Sequence, residues 1–274
     1  MTLVAATRSE TTKQFTTAGW WVLAIVLFAY VGFTAGVLAF VFSASAAGDL
    51  GGDAPPIPED GLPAILYSTA TSVGYVFPLL VGTLMVTAEF RHKTLTPTFL
   101  ATPRRGVVLA AKLAVGVVMG ALLGAVGIVA SVGISAVFLA ARGLDTALGD
   151  SDTWALIGRM LLASVLWALI GIGVGALVRN QVGAIVGVLV FTQFLEPVAR
   201  AAASFVDGLD AVTRYLPGAA SDALVGASVF TAAAAPGTGA ADALEWWAGG
   251  LVLLAYAVVA VVLGHLLSWR RDVS

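Results

Sequence analysis

The sequence contains no cysteine, so neither a disulfide nor a thiolate metal site can form. Charge is also scarce, at 11% of residues against roughly 25% in soluble domains. Histidine occurs only at His92 and His265, too few for the clustered ligands of a membrane metalloprotease or the paired base of a serine protease. None of the lysines, which are Lys13, Lys93 and Lys112, follows a glycine-rich phosphate-binding loop. We therefore expect no enzyme active site, with no catalytic residue, metal or cofactor held by this chain.

Apolar residues are abundant, making up 59% of the 274 residues and giving a mean hydropathy of +0.97. A helix needs about 20 apolar residues to cross a hydrocarbon core of roughly 30 Å. Six stretches meet this requirement, although the fifth is marginal in length. They predict an all-α integral membrane protein with spans near 19–43, 64–88, 108–141, 155–178, 182–200 and 246–269.

The basic residues predict the orientation of these spans. With six spans and a cytoplasmic amino terminus, only four of the 14 Lys and Arg lie on the outer side, namely Arg142, Arg159, Arg200 and Arg214. The positive-inside rule then places both termini in the cytoplasm of a multi-pass cell-membrane protein. A seventh crossing within 223–241 would put Arg270 and Arg271 outside, against the same rule. The acidic pI near 5.6 gives no sign of a nucleic-acid partner.

Residues 1–18 predict a short amphipathic helix lying along the membrane surface. Glu10 and Lys13 are three residues apart and can pair on one helix face. Trp20 and Trp21 follow at the start of the first span, where indole rings suit the headgroup region. A frayed tail with an aromatic anchor is the alternative.

Two further positions are candidates for a role in movement or gating. Pro78 lies near the middle of the second span, where proline favours a kink, so it is a candidate hinge or simply a determinant of shape. Glu196 ends the fifth span with Arg200 four residues later, an order that suits a helical ion pair. An acid in this setting is also a candidate external gate. Residues 207–241 are too polar and broken to span, and predict short re-entrant-like external helices.

The most distinctive segment is the basic loop at 89–106 between the second and third spans. It reads Glu89-Phe-Arg-His-Lys-Thr-Leu-Thr-Pro-Thr-Phe-Leu-Ala-Thr-Pro-Arg-Arg105. A loop that only fixes topology would explain the bases, but it would not explain the apolar pair Phe99 and Leu100 in the middle. We expect a cytoplasmic protein to bind here.

This loop, the preceding Arg-Ser-Glu-x-x-Lys helix with its Trp-Trp end, the six spans and the broken external segment together resemble the permease subunits of type-2 ABC exporters. The resemblance covers nearly the whole chain and is most specific from Glu89 to Lys112. It differs at Lys93, where family members often carry glycine. It implies a coupling helix from Lys93 to Pro103 that docks in a cleft of a separate ATPase subunit. The implied interface residues are Glu89, Arg91, Lys93, Thr94, Leu95, Thr98, Phe99, Leu100, Pro103, Arg104 and Arg105.

The same resemblance implies a permease homodimer, or alternatively a heterodimer, with two ATP-binding cassette subunits that hold the ATP and magnesium. The cargo would be an amphipathic drug, peptide or lipid-like molecule moved outward through a protein surrounded by membrane lipids. Two other functions remain open from the sequence. One is a non-transporting scaffold or immunity partner of an ATPase. The other is a channel or secondary transporter, a class that usually carries more ionisable groups within its spans.

Overall fold

All the described secondary structure in the computed structural model is helical. The structure describes residues 2–46, 61–178, 180–203, 205–206, 208–230 and 244–269. Six helices in these ranges are long and apolar enough to cross a membrane. We number them as spans: Gly19–Ala46, Leu62–Arg91, Arg105–Ala141, Ser151–Leu177, Gln181–Ala203 and Trp246–Leu267. The predicted all-α class is confirmed for the described residues, and the six predicted spans correspond to six helices that are long and apolar enough to cross a membrane.

The individual helices are α1 Leu3–Thr16, α2 Gly19–Ala46, α3 Leu62–Tyr67, α4 Thr69–Ser72, α5 Val76–Arg91, α6 Leu95–Ala101, α7 Arg105–Ala141, α8 Ser151–Leu177, α9 Gln181–Val190, α10 Glu196–Ala203, α11 Asp210–Thr213, α12 Pro217–Val225 and α13 Trp246–Gly264. Short π-helical segments, Phe191–Leu195 and His265–Trp269, lie within the fifth span and at the end of the sixth. The α1 helix falls within the predicted 1–18, and its position relative to a membrane stays a prediction.

The fourth span lies at the centre of the bundle and packs against the second, third and sixth spans. Glycine allows the closest of these approaches, since a Cβ at Gly171 would overlap the carbonyl oxygen of Leu79 in the second span. The first, fifth and sixth spans are far less enclosed. Only 28%, 22% and 17% of their most apolar windows are buried, against 67% for the second and fourth spans.

The second span is interrupted, but the interruption lies before Pro78. The chain leaves α4 at Ser72 and begins α5 at Val76, so Pro78 occupies the first turn of α5. A first-turn N–H has no partner within its own helix, so proline fits there without loss of a bond. The hydroxyl groups of Ser68 and Thr69 donate to the carbonyl oxygens of residues 65 and 66, both at 2.7 Å. The predicted mid-helix kink at Pro78 is therefore a break upstream of it, and its role as a hinge stays a prediction.

The segment after the fifth span contains the short helices α11 and α12. The α12 helix packs mainly against the sixth span and also contacts the fourth span and α4. Both helices lie in the predicted external region 207–241, and residues 207 and 231–241 of that region fall outside the described residues.

Candidate functional site

The loop helix α6 begins immediately after a tight turn that ends α5. The N–H of Thr94 donates to the carbonyl oxygen of Glu89 at 3.0 Å, and the N–H of Lys93 donates to that of Phe90 at 3.3 Å. Such a pair of bonds closes a helix around a left-handed residue. That residue is Lys93, with φ of 53°, a conformation that glycine adopts more easily.

The two apolar residues that the sequence places at the docking point have different surroundings. Leu100 is 79% exposed, one of the most exposed large apolar side chains described. Phe99 is only partly exposed, because its ring packs against the protein's own core and lies 5.1 Å from the guanidinium carbon of Arg105. Phe99 is therefore partly enclosed by its own chain, and its predicted contact with a partner stays a prediction. Leu100 alone is presented outward.

The remaining predicted interface residues also differ in how far their side chains are exposed. Leu95 is 1% exposed and Glu89 is 7% exposed, so neither can contact a partner directly. Thr98 is partly buried, as is Arg105. The exposed members of the predicted set, besides Leu100, are Arg91, Lys93, Thr94, Pro103 and Arg104.

Behind the loop helix lies a charge cluster in which Glu10, Glu89 and Lys112 are buried and Lys13 is partly exposed. The Nζ of Lys112 donates to Glu10 Oε2 at 2.6 Å and to the Met85 carbonyl oxygen at 3.1 Å, and lies 3.1 Å from Glu89 Oε1. The Nζ of Lys13 donates to Glu10 Oε1 at 2.7 Å and to Glu89 Oε1 at 2.9 Å. The formal charges of the cluster sum to zero.

The charge cluster connects four elements at this end of the bundle. Glu10 and Lys13 come from α1, Glu89 from the end of the second span and Lys112 from the start of the third. The Lys13 ammonium also donates to Thr98 Oγ1 of α6 at 3.3 Å. A cleft of about 270 Å³ lies beside the cluster between α1, α6 and the third span.

Burial makes these contacts energetically significant. The side chain of Lys112 is 1% exposed, and removing one member of such a buried pair typically costs about 3–5 kcal/mol. Burial raises the pKa of Glu10, but Lys112 and Lys13 outweigh it and hold that pKa below its usual value. Burial lowers the pKa of Lys13, but its hydrogen bonds to Glu10 and Glu89 outweigh it, and the net pKa is raised.

The sequence anticipated only part of this cluster. The predicted pair of Glu10 and Lys13 is confirmed at 2.7 Å. The partnership of Lys112 was missed, although a lone lysine at the start of a long apolar run is itself a signal that acids must lie nearby. Glu89 was assigned to the partner interface, and its carboxylate instead faces the interior.

At the opposite end of the bundle, the expected helical pair of Glu196 and Arg200 does not form. Arg200 Nη2 donates to Asp222 Oδ2 of α12 at 2.7 Å. Glu196 is 3% exposed, and its Oε1 accepts the N–H of Ala219 at 3.0 Å in the first turn of α12. Both residues therefore contact α12 and not each other, and their role as an external gate stays a prediction.

Comparisons with known proteins do not indicate a family for this chain. Within the described ranges, no three His, Asp or Glu side chains come together as a metal site would require. The chain matches no known protein-family model, and it matches no curated protein.

Proposed function

We propose that this chain is the membrane-spanning permease subunit of an ATP-driven exporter in the cell membrane. The loop helix α6 is where a separate ATP-binding cassette subunit attaches on the cytoplasmic side. One observation carries the proposal. The short helix α6 is connected to three other elements through the charge cluster, and it exposes the side chain of Leu100 to solvent.

The exposed surface of α6 supports attachment of a protein. Leu100 is 79% exposed, and the basic residues Arg91, Lys93 and Arg104 before and after it are exposed as well. An apolar centre with a polar surround is the common composition of a protein interface. A lipid-facing role explains Leu100 less well, because it lies in a short polar loop between spans.

The buried contacts of α6 support transmission of movement. Leu95 anchors the helix in the core, and Lys13 joins Thr98 to both glutamates of the cluster. A displacement of α6 would therefore move α1 and the second span together, and Lys112 would carry it to the third span. In this mechanism, ATP binding draws two ATPase subunits together, and the spans open an outward path for an amphipathic cargo.

The incompletely enclosed spans support assembly with a second copy. The first, fifth and sixth spans have only 28%, 22% and 17% of their most apolar windows buried within the chain. Those faces are available to membrane lipids and to a second permease. We propose two permease copies with two ATPase subunits, in which ATP and magnesium are bound by the partners.

Substitution of Leu100→Ser tests the docking contact. Full burial of a leucine is worth about 1.5–3 kcal/mol, so its loss should weaken ATPase binding roughly tenfold to a hundredfold. The full chain is produced in its native host and purified in detergent. The co-purifying cassette ATPase, its ATP hydrolysis and cargo export are then measured. Leu148→Ser is the matched control, since Leu148 is an exposed leucine beyond the third span.

The outcomes separate the proposals from one another. We expect wild type and Leu148→Ser to hold equal amounts of the ATPase, while Leu100→Ser loses it and export together. If wild type holds no cassette ATPase, the exporter proposal is wrong. If Leu100→Ser binds as well as wild type, only the docking contact is wrong. An ATPase that binds without any export would indicate the scaffold function.

A further inference from the structure

The Glu196 carboxyl group occupies a closed site between the fifth span and α12. Oε1 accepts the N–H of Ala219 at 3.0 Å, and the backbone of Gly218 lies close to the carboxyl group. A Cβ at Gly218 would lie 2.5 Å from Oε1, so a larger residue there would displace the carboxyl group. Oε2 is fully buried and has no hydrogen-bond partner among the described residues.

The donors around Glu196 are already committed elsewhere. The hydroxyl group of Tyr75, ahead of α5, donates to the Thr192 carbonyl oxygen at 3.0 Å. The hydroxyl group of Tyr256, in the sixth span, donates to the carbonyl oxygen of Tyr215 at 3.1 Å. Arg200 is bound to Asp222 at 2.7 Å, so these two opposite charges compensate each other. None of these groups donates to Oε2.

Charge compensation distinguishes Glu196 from the other glutamate with an unpartnered oxygen. Glu89 Oε2 is also buried without a hydrogen bond, but two lysine ammonium groups lie within 3.1 Å of its Oε1. For Glu196 the nearby positive charge is that of the first turn of α12 and of the Arg200 guanidinium, which is not bonded to it and is itself paired with Asp222. A buried carboxylate without a compensating cation is strongly disfavoured, and such a group takes up a proton instead.

From this geometry we infer that Glu196 is a proton-binding site, with the proton carried on Oε2 in the structure described. The bound species is a single proton delivered from the aqueous side that faces α12. Proton release leaves a negative charge next to Asp222 in an apolar setting. The charged side chain is then drawn toward water, which separates the fifth span from α12. The inference is independent of any ATPase partner.

Protonation of Glu196 would also change the strength of the contact between the fifth span and α12. A proton that holds α12 against the fifth span makes that junction tighter in acid and looser in alkali. The charged and titratable groups that surround Glu196 are Arg200, Asp222, Tyr75 and Tyr256. Because Arg200 and Asp222 are paired and the tyrosine hydroxyl groups are bonded, Glu196 is the group in this set whose carboxyl oxygen is left to exchange a proton.

Infrared spectroscopy of the purified full chain in lipid nanodiscs tests the inference on wild type itself. We expect the carbonyl band of a protonated carboxyl group at pH 6, its loss as the pH rises, and its absence from Glu196→Gln at every pH. Because the native form holds a proton that the unfolded form releases, the folding constant should fall with rising pH by up to tenfold per pH unit. Glu196→Gln should lose this dependence. Glu245→Gln, which removes an exposed carboxyl group at the same end of the bundle, should keep it.

Each contrary result overturns the inference. A spectrum without the protonated band at pH 6 shows that Glu196 is ionised and acts only as a cap for α12. An unchanged pH dependence of folding in Glu196→Gln assigns the titration to another group. If Glu196→Gln fails to fold, the native site requires the ionised carboxylate and the inference is wrong. Glutamine has the shape of the protonated side chain but no charge, so it should replace a protonated glutamate.

Discussion

At the residue scale, Lys93 holds a backbone conformation that its side chain does not favour. Its φ of 53° places it in the left-handed region, and its side chain is exposed. In this region a residue with a Cβ is disfavoured by roughly 1–2 kcal/mol. Glycine avoids that strain, but the greater conformational freedom of its unfolded chain cancels part of the gain in stability. The strain is tolerated because the turn brings Thr94 and α6 directly onto the end of the second span.

Lys93→Gly should therefore stabilise the loop. We expect the free energy of unfolding of the purified protein to rise by about 0.5–1 kcal/mol. Lys93→Ala is the matched control, because it removes the same charge and keeps the strained conformation. Thermal unfolding in detergent compares the three proteins. Equal gains from glycine and alanine would show that the lysine charge, and not the backbone, is responsible.

At the element scale, α1 is held mainly by charge. The only buried residues of this helix are Ala6 and Glu10, so it has little apolar surface to dock it against the bundle. Glu10 instead reaches Lys112, and Lys13 reaches Glu89 and Thr98. A helix attached in this way depends on the ionisation of a few groups, which gives its docking a defined pH range.

Acid should release α1. The folded pKa of Glu10 is lowered, so its stabilising contribution is complete above the ordinary glutamate pKa of about 4.3 and is lost as the pH falls through the lowered value. The folded pKa of Lys13 is raised, so its contribution is complete below its ordinary value of 10.5 and is lost as the pH rises through the raised one. Docking is thus expected across the neutral range. Hydrogen exchange of α1 amides measures it.

Glu10→Gln should produce the same release at neutral pH. Leaving Lys112 with Glu89 as its sole acidic partner costs about 3 kcal/mol, so α1 amides should exchange roughly a hundredfold faster. Arg8→Gln, on the exposed side of the same helix, should leave the exchange rate unchanged. Exchange in Glu10→Gln that matches wild type would mean that α1 is held by something other than the charge cluster.

At the scale of the whole molecule, the orientation in the membrane decides whether α6 can meet a cytoplasmic partner. The absence of cysteine makes this easy to measure, because single cysteines can be labelled without background. Thr96 is exposed on α6, and Gly149 is exposed between the third and fourth spans with open space around its Cα. The two positions lie at opposite ends of the bundle.

In intact cells, we expect an impermeant thiol reagent to label Gly149→Cys and to spare Thr96→Cys until the membrane is permeabilised. The positive-inside rule gives this direction, since most Lys and Arg lie at the end that carries α6. The cysteine-free parent chain is the control. Labelling of Thr96→Cys in intact cells would reverse the orientation and place the loop helix beyond the reach of a cytoplasmic ATPase.

The length and polarity of local stretches explain why the spans and α1 were predictable. A run of apolar residues long enough to cross a bilayer must be helical there, because only a helix satisfies its own backbone within a single segment. The pair of Glu10 and Lys13 was predictable for a similar reason, since both residues lie on one helix and its geometry sets their separation. Pro78 was harder to place, because a proline marks a helix start as readily as a break.

The sequence by itself determined the class of the protein, its six spans and the presence of a basic loop containing exposed and apolar residues. Only the tertiary structure decided which charges meet, because Glu10 and Lys112 are distant in the chain and pair at 2.6 Å through packing of α1 against the third span. The tertiary structure also exposes Leu100 while it partly buries Phe99, and it pairs Arg200 with Asp222. Which charges pair and which side chains are buried depends on the neighbours that exclude water from each group. Those neighbours are distant in the chain, so no local sequence pattern predicts them.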